Sequence, residues 1–201
     1  IVLNHSNEAK AAFKKAMGQV KEAVRKWPAE REFIVNHVGR NNFIKNLVWS
    51  LKDQNNLILF DLVEKHGKVL APLLEKEGRE LHFIYGNTKG EERERIRHLV
   101  ENDPLKQHNI LASYGVFSTG VNIKRLDNVI FASSSKSEIK VLQSIGRSLR
   151  KAEDSQKAVL YDIADDLSVG SYENYTLKHF KSRIEIYSSE EFAFKIFTID
   201  I

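Results

Sequence analysis

No cysteine occurs in the 201 residues. That excludes disulfides, a thiolate zinc site, an iron–sulfur cluster and a cysteine nucleophile. No apolar run approaches the length of about 18 residues that a transmembrane helix needs. No Gly-x-x-x-x-Gly-Lys-[Ser/Thr] segment occurs, so the sequence has no P-loop to cradle a triphosphate. An Asp-Glu-x-His segment that would hold Mg²⁺ is missing too. The seven histidines show no metal-ligand spacing, and no metal site is expected. Internal repeats, low-complexity tracts and obvious linkers are absent. The first residues, IVLNHSNEAK, hold neither an initiator methionine nor a secretory signal, which reads as a piece cut from something larger.

What is present is the material of a soluble globular domain: 42% hydrophobic and 29% charged residues in a chain of one-domain length. The net charge is +4. It is unevenly spread, because residues 152–201 carry 5 basic and 10 acidic side chains while residues 1–151 carry 26 and 17. A phosphate-binding surface is therefore expected in the first three quarters, although solvated surface alone can give the same asymmetry.

Ile1–His5 reads as a short strand and residues 7–27 as a helix that Pro28 interrupts. Apolar residues from Phe33 to Leu51 recur at helical spacing, with Gly39-Arg40-Asn41-Asn42 expected to break the segment in two. Short apolar runs then alternate with helices. The runs are Leu57–Phe60, Leu81–Tyr85, Asn109–Ala112, Val129–Ala132 and Ala158–Tyr161. The helices span about 65–76 (capped by Gly78), 89–101 and 139–150. This alternation predicts βαβ units and a parallel sheet, an α/β fold flanked by helices. Such sheets bind ligands at the carboxyl ends of their strands, in the loops after Phe60, Tyr85, Ala112, Ala132 and Tyr161. Leu177, Phe180, Ile184 and Tyr187 mark a further amphipathic helix, and Phe192–Ile201 alternates as a last strand. The expected division is 1–54, an N-terminal strand and helices; 55–168, the core; and 169–201, a C-terminal helix and strand extension.

Two segments carry chemistry. Residues 112–122, ASYGVFSTGVN, follow a strand and are rich in small and hydroxyl residues that let a backbone approach a phosphate. Residues 143–150, QSIGRSLR, place Gln143, Arg147 and Arg150 on one helix face at i, i+4 and i+7. Gly146 costs that helix about 1 kcal/mol against alanine, which fits a close approach to its backbone. Two arginines on one face present planar charged forks to phosphate oxygens, the equipment of an arginine finger. Each segment alone is also compatible with an ordinary small-residue loop or a solvated basic helix face.

In this order and spacing the two segments resemble motifs V and VI of superfamily 2 helicases. Leu57–Phe60 resembles motif IV, and Tyr85-Gly86-Asn87-Thr88 with Glu91-Glu92-Arg93 resembles the loop that runs along the nucleic-acid backbone. The resemblance covers most of the chain and implies the C-terminal RecA-like domain of such an enzyme. It implies that Arg147 and Arg150 reach the ATP γ-phosphate and that Gln143, which opens motif VI, couples nucleotide to DNA. Gly120 and Asn122 match the Gly-x-Asp of motif V. Asn122 keeps an acceptor there but loses the charge. Ser113 corresponds to a hydroxyl that touches a nucleic-acid phosphate, and Thr88, Lys89 and Arg93 to backbone contacts. The implied cofactor is ATP with Mg²⁺, bound mainly by an N-terminal RecA-like domain absent from these residues. The implied partners are that domain, branched DNA and RNA–DNA hybrid, with no membrane and a cytoplasmic location. The alternative is a stand-alone nucleic-acid-binding module without ATPase activity.

Other residues have plainer expectations. His66 suits a cap or packing role, Trp27 and Trp49 suit packing rather than base stacking, and Asp162, Asp165 and Asp166 read as a solvated loop or helix cap rather than Mg²⁺ ligands.

Overall fold

The apolar runs assemble into a five-stranded, all-parallel sheet in a computed structural model, which describes every residue except 76–77, 104–106, 119–122, 124 and 134–157. The chain divides into two units, one of Ile1–Phe43 with Ile163–Ile201 and one of Ile44–Asp162.

In the Ile44–Asp162 unit the strands are β2 (Asn56–Phe60), β3 (Glu80–Ile84), β4 (His108–Ser113), β5 (Asn128–Phe131) and β6 (Val159–Asp162), in the order β3-β4-β2-β5-β6. The three central strands are buried along their whole length. A parallel strand covered on both faces needs such an unbroken apolar run, which is why these segments do not alternate. Leu57, Ile58, Leu59, Phe60, Ile110, Leu111, Ile130 and Phe131 are fully buried. Each contributes about 1.5–3 kcal/mol by leaving water. The edge strands β3 and β6 are only partly covered.

Register is fixed at the amino ends of these strands by amides. Asn56 pairs in register with Asn109 on one side and Asn128 on the other. Asn56 Nδ2 donates to Asn109 Oδ1 at 2.9 Å, and Asn128 Nδ2 donates to Asn56 Oδ1 at 2.8 Å. A slip of one residue would break both bonds and turn the apolar faces over.

Helices α4 (Lys68–Leu74), α5 (Gly90–Asn102) and α6 (Tyr114–Ser118) also belong to this unit. A π-helical turn, Val63–Gly67, runs directly into α4. Gly67 sits so close to Phe60 that a Cβ would lie 2.5 Å from its ring, so no larger residue fits without displacing it. Gly78 has φ +80°, the left-handed conformation that glycine adopts without strain.

The Ile1–Phe43 and Ile163–Ile201 unit is a second parallel sheet, β7-β1-β8, with β1 at Val2–Asn4, β7 at Ala164–Asp166 and β8 at Thr198–Asp200. Leu3 pairs with Asp165 on one side and Ile199 on the other. The expected N-terminal stretch and C-terminal extension thus join in one sheet, because β1 needs both neighbours to satisfy its backbone. The final strand is shorter than the alternating pattern from Phe192 suggests. Phe194, Ile196 and Phe197 precede it and are exposed.

Helix boundaries here differ from the sequence expectation. Helix α1 (Asn7–Gly18) starts at Ser6, whose side chain accepts from the Ala9 N–H, and ends well before Pro28. Pro28 lies inside α2 (Ala23–Val35). Its missing N–H strips one bond from the Val24 carbonyl, and Val24 is exposed, so solvent can take that oxygen. The next break falls at Asn36-His37. Gly39-Arg40-Asn41-Asn42 instead forms the first turn of α3 (Val38–Ser50). Arg40 and Asn41 are buried there and need the helix to place them.

Asp165 is the clearest correction. It is neither solvated nor a cap. Its side chain is fully buried, with Arg40 Nε 2.9 Å from both carboxylate oxygens and His5 Nε2 2.9 Å from Oδ1. Burial pushes its carboxyl up, but Arg40 and His5 more than offset this and hold it below the ordinary aspartate value.

Glu30 plays a different part. Helix α7 (Tyr175–Ser189) has no acidic residue in its first turn and no side-chain cap from Asn174. The Glu30 carboxylate supplies one from α2, accepting the N–H of Tyr175 at 2.9 Å and of Thr176 at 2.7 Å. These are two of the four orphan donors of a helix start, and the negative charge meets the positive end of the helix dipole. Burial pushes the Glu30 carboxyl up, and its hydrogen bonds only partly reverse this. Trp27 packs edge-on against His179, ring centroids 4.7 Å apart, in the packing role expected of it.

Candidate functional site

Because β2 to β6 are all parallel, their carboxyl ends, Phe60, Ile84, Ser113, Phe131 and Asp162, share one edge of the sheet.

Beyond β3 the chain turns through Tyr85–Thr88 into α5. Thr88 closes this turn twice: its N–H donates to the Tyr85 carbonyl at 2.8 Å, and its Oγ1 accepts from the Tyr85 N–H at 3.1 Å. Arg93, one turn into α5, reaches back so that Nε donates to the Thr88 carbonyl at 2.9 Å and Nη2 to the Gly86 carbonyl at 3.4 Å. Both residues therefore stiffen the loop from within. Lys89 is the N-cap of α5, exposed, with extended backbone and no side-chain cap bond. The first turn of α5 carries Glu91 and Glu92. Lys89 and Arg93 are thus the cations at this loop, the latter with part of its guanidinium taken up by the two carbonyls.

Ser113 ends β4, paired in register with Phe60 and 7% exposed. Around it lies a cluster that sequence reading missed. His66 Nδ1 is 2.7 Å from Ser133 Oγ, the Asp61 N–H donates to that same oxygen at 3.2 Å, and Tyr114 OH donates to the Ser133 carbonyl at 2.8 Å. Ser133 comes just after β5, His66 from the π-turn after β2, and Tyr114 follows Ser113 directly. Ser133 therefore ties together the segments that follow three adjacent strands, its hydroxyl bonding to those after β2 and its carbonyl accepting from Tyr114 after β4. His66 has the packing role expected of it, and its partner has no sequence signature beyond the run Ser133-Ser134-Ser135. π-Helical turns occur frequently at functional sites.

Gly120, Asn122, Gln143, Arg147 and Arg150 lie outside the described residues, as does the helix expected at 139–150. Of the expected site residues, Thr88 and Lys89 lie on one loop, Arg93 reaches back to it from α5, and Ser113 stands at the end of the neighbouring strand β4.

The fold is that of a RecA-like domain, and similar solved structures include the C-terminal domain of the DEAD-box protein Dbp5 (TM-score 0.57, 16% identity, 83% of this chain and 84% of that one). Residues 39–152 match the family described as the helicase conserved C-terminal domain, and the chain belongs to that family. Among curated relatives it is 35% identical over 184 residues to the ATP-dependent DNA helicase uvsW of Enterobacteria phage T4, covering 86% of this chain and 36% of that protein. The crystal structure of T4 UvsW superposes with a TM-score of 0.78 at 32% identity, over 99% of this chain and 40% of that one. The chain therefore spans little more than a third of its curated relative. A SWI2/SNF2 ATPase core from Sulfolobus solfataricus, solved in complex with dsDNA, shares the fold at a TM-score of 0.60 and 17% identity, over 83% of this chain and 40% of that one. Among the described residues no helix is long and apolar enough to cross a membrane.

Proposed function

We propose that this chain is the C-terminal motor domain of an ATP-dependent DNA helicase that acts on branched DNA and RNA–DNA loops in recombination, repair and replication. The observation that carries this reading is the 35% identity to a DNA helicase over 184 residues, together with the QSIGRSLR segment inside the matched family region 39–152. In this reading Arg147 and Arg150 stabilise the charge that develops as the γ-phosphoryl group leaves, and Gln143 couples that event to DNA. Gly120 and Asn122 line the nucleotide side of the cleft. ATP and Mg²⁺ sit mainly on a preceding RecA-like domain, which supplies the P-loop that these 201 residues lack. Lys89, Arg93, Thr88 and Ser113 track phosphodiesters, a sequence-independent contact that weakens with salt. Work in the cytoplasm of a host bacterium fits a phage-type enzyme.

The test uses the longer enzyme. Arg147→Ala and Arg150→Ala are each expected to lower kcat by about 10³ or more, the scale of an arginine finger, with affinity for forked DNA nearly unchanged. Loss of DNA binding equal to the loss of turnover would assign these arginines to phosphodiester instead. The isolated chain is expected to turn over no appreciable ATP.

A further inference from the structure

The amino edge of the five-stranded sheet, opposite the loops just described, carries a second cluster. Glu80 and His82 are first and third on β3, so their side chains leave the same face of the strand. Glu80 pairs in parallel register with His108, the first residue of β4, and register partners share a face. His82 Nε2 is 3.1 Å from His108 Nδ1, and His108 Nδ1 is 3.8 Å from Glu80 Oε2. All three donor atoms lie within 4.8 Å of one another. We propose that Glu80, His82 and His108 form a binding site for a zinc-type divalent transition metal ion.

The geometry fits that class. A tetrahedral ion about 2.0–2.1 Å from each donor sets the donors about 3.4 Å apart. The observed separations of 3.1 and 3.8 Å bracket this value. Two imidazoles and one carboxylate are the ligand chemistry that zinc accepts and Mg²⁺ does not favour. One ligand is also held in place through its backbone. The His108 N–H donates to Asn55 Oδ1 at 2.9 Å, which fixes the start of β4. Both histidines are buried, while the Glu80 side chain is 43% exposed and leaves an approach from solvent. The charges on α5 that face His82 are Glu92 and Arg95. They form a two-bond ion pair with each other at 2.8 Å, so the charge of Arg95 is already compensated. With three protein ligands, the fourth position is left to water or a small ligand. An ion here ties the edge strand β3 to β4 at the end of the ladder, and it binds folded protein only.

The chain, without a histidine tag and stripped by a chelator, is titrated with ZnCl₂ by calorimetry and by thermal unfolding. The expected result is one saturable equivalent and a rise in Tm. Glu80→Gln, at a partly exposed position that leaves the fold intact, is expected to weaken binding by about tenfold or more, at least the scale on which even ligand-supporting groups act. His82→Asn is expected to do the same, with folding checked by circular dichroism. Absence of a saturable equivalent overturns the site, as does equal binding by wild type and both variants. Equal competition by Mg²⁺ overturns it too, since that marks a generic acidic surface.

Discussion

The two units of this chain solve the same problem, a parallel sheet with short strands, by different chemistry. In the Ile44–Asp162 unit the three inner strands are built on buried apolar runs, and the amides Asn56, Asn109 and Asn128 at their amino ends are neutral groups that bond to each other. In the other unit the strands are three residues long and cannot bury as much. There the interior is organised by charge: Asp165 between Arg40 and His5, and Glu30 on the start of α7. A neutral ladder loses a hydrogen bond when one member is removed. An ionic cluster loses the compensation of a buried charge, which is far more expensive.

That contrast sets the order of expected effects. Arg40→Ala leaves the Asp165 carboxylate buried with only His5 beside it, and is expected to cost about 3–5 kcal/mol. Amide hydrogen exchange reads the two units separately. Protection should fall in β1 and β7 and persist in β2 and β4. Equal loss in both sheets would break the comparison. The paired change Arg40→Met with Asp165→Leu removes both charges at once and should be milder than Arg40→Ala, since apolar replacement of a whole buried ion pair is often neutral or better.

A smaller loss is expected from Asn56→Leu, which deprives Asn109 Oδ1 and Asn128 Nδ2 of their shared partner at about 1–3 kcal/mol for each group left buried without one. Asn128 also donates to Gln54 Oε1 at 2.8 Å, so the lower end of that range applies to it. Chemical denaturation measures the loss, and the exchange pattern should be the mirror of the Arg40 result, with β2, β4 and β5 affected and β1 spared.

The same contrast explains what could be read from sequence. The inner strands were legible because a fully buried parallel strand must be a continuous apolar run, and Leu57–Phe60, Asn109–Ala112 and Val129–Ala132 are such runs. The ionic unit was not. Asp165 looks solvated until β1 pairs with β7 and brings His5 beside it, and the cluster spans 160 residues of chain. Pro28 reads as a breaker because sequence cannot show that Val24 faces solvent. The Glu80, His82 and His108 cluster escapes a search for ligand spacing because its proximity is created by strand register, not by distance along the chain. In the candidate site, Thr88 and Arg93 are singled out by their motif, yet the bonds that Arg93 makes to backbone carbonyls have no signature, and neither does the hydroxyl of Ser133.

The smallest effect separates two carboxylates within the ionic unit itself. Asp165 is held below its ordinary value of 3.8, so its stabilisation is present above that pH and disappears as pH falls through the depressed value. Glu30 is raised above 4.5, so between 4.5 and its raised value the folded state binds more protons than the unfolded state, and stability falls as pH rises. Acidification from neutral pH should therefore first relieve Glu30 and only later undo Asp165. Glu30→Gln removes the first of these while keeping an oxygen that can accept from Thr176. Its amide loses the bond from the Tyr175 N–H, at about 0.5–1.5 kcal/mol, but no longer buries a charge, so the two changes oppose each other at neutral pH. The expected outcome is a change within about 1 kcal/mol at pH 7, a flatter stability profile just above pH 4.5, and an unaltered collapse below pH 3.8. Denaturation midpoints across pH 3 to 7 test this. A variant profile that keeps the wild-type slope above 4.5 would mean the Glu30 charge is as well supported by the α7 helix start as it would be by water.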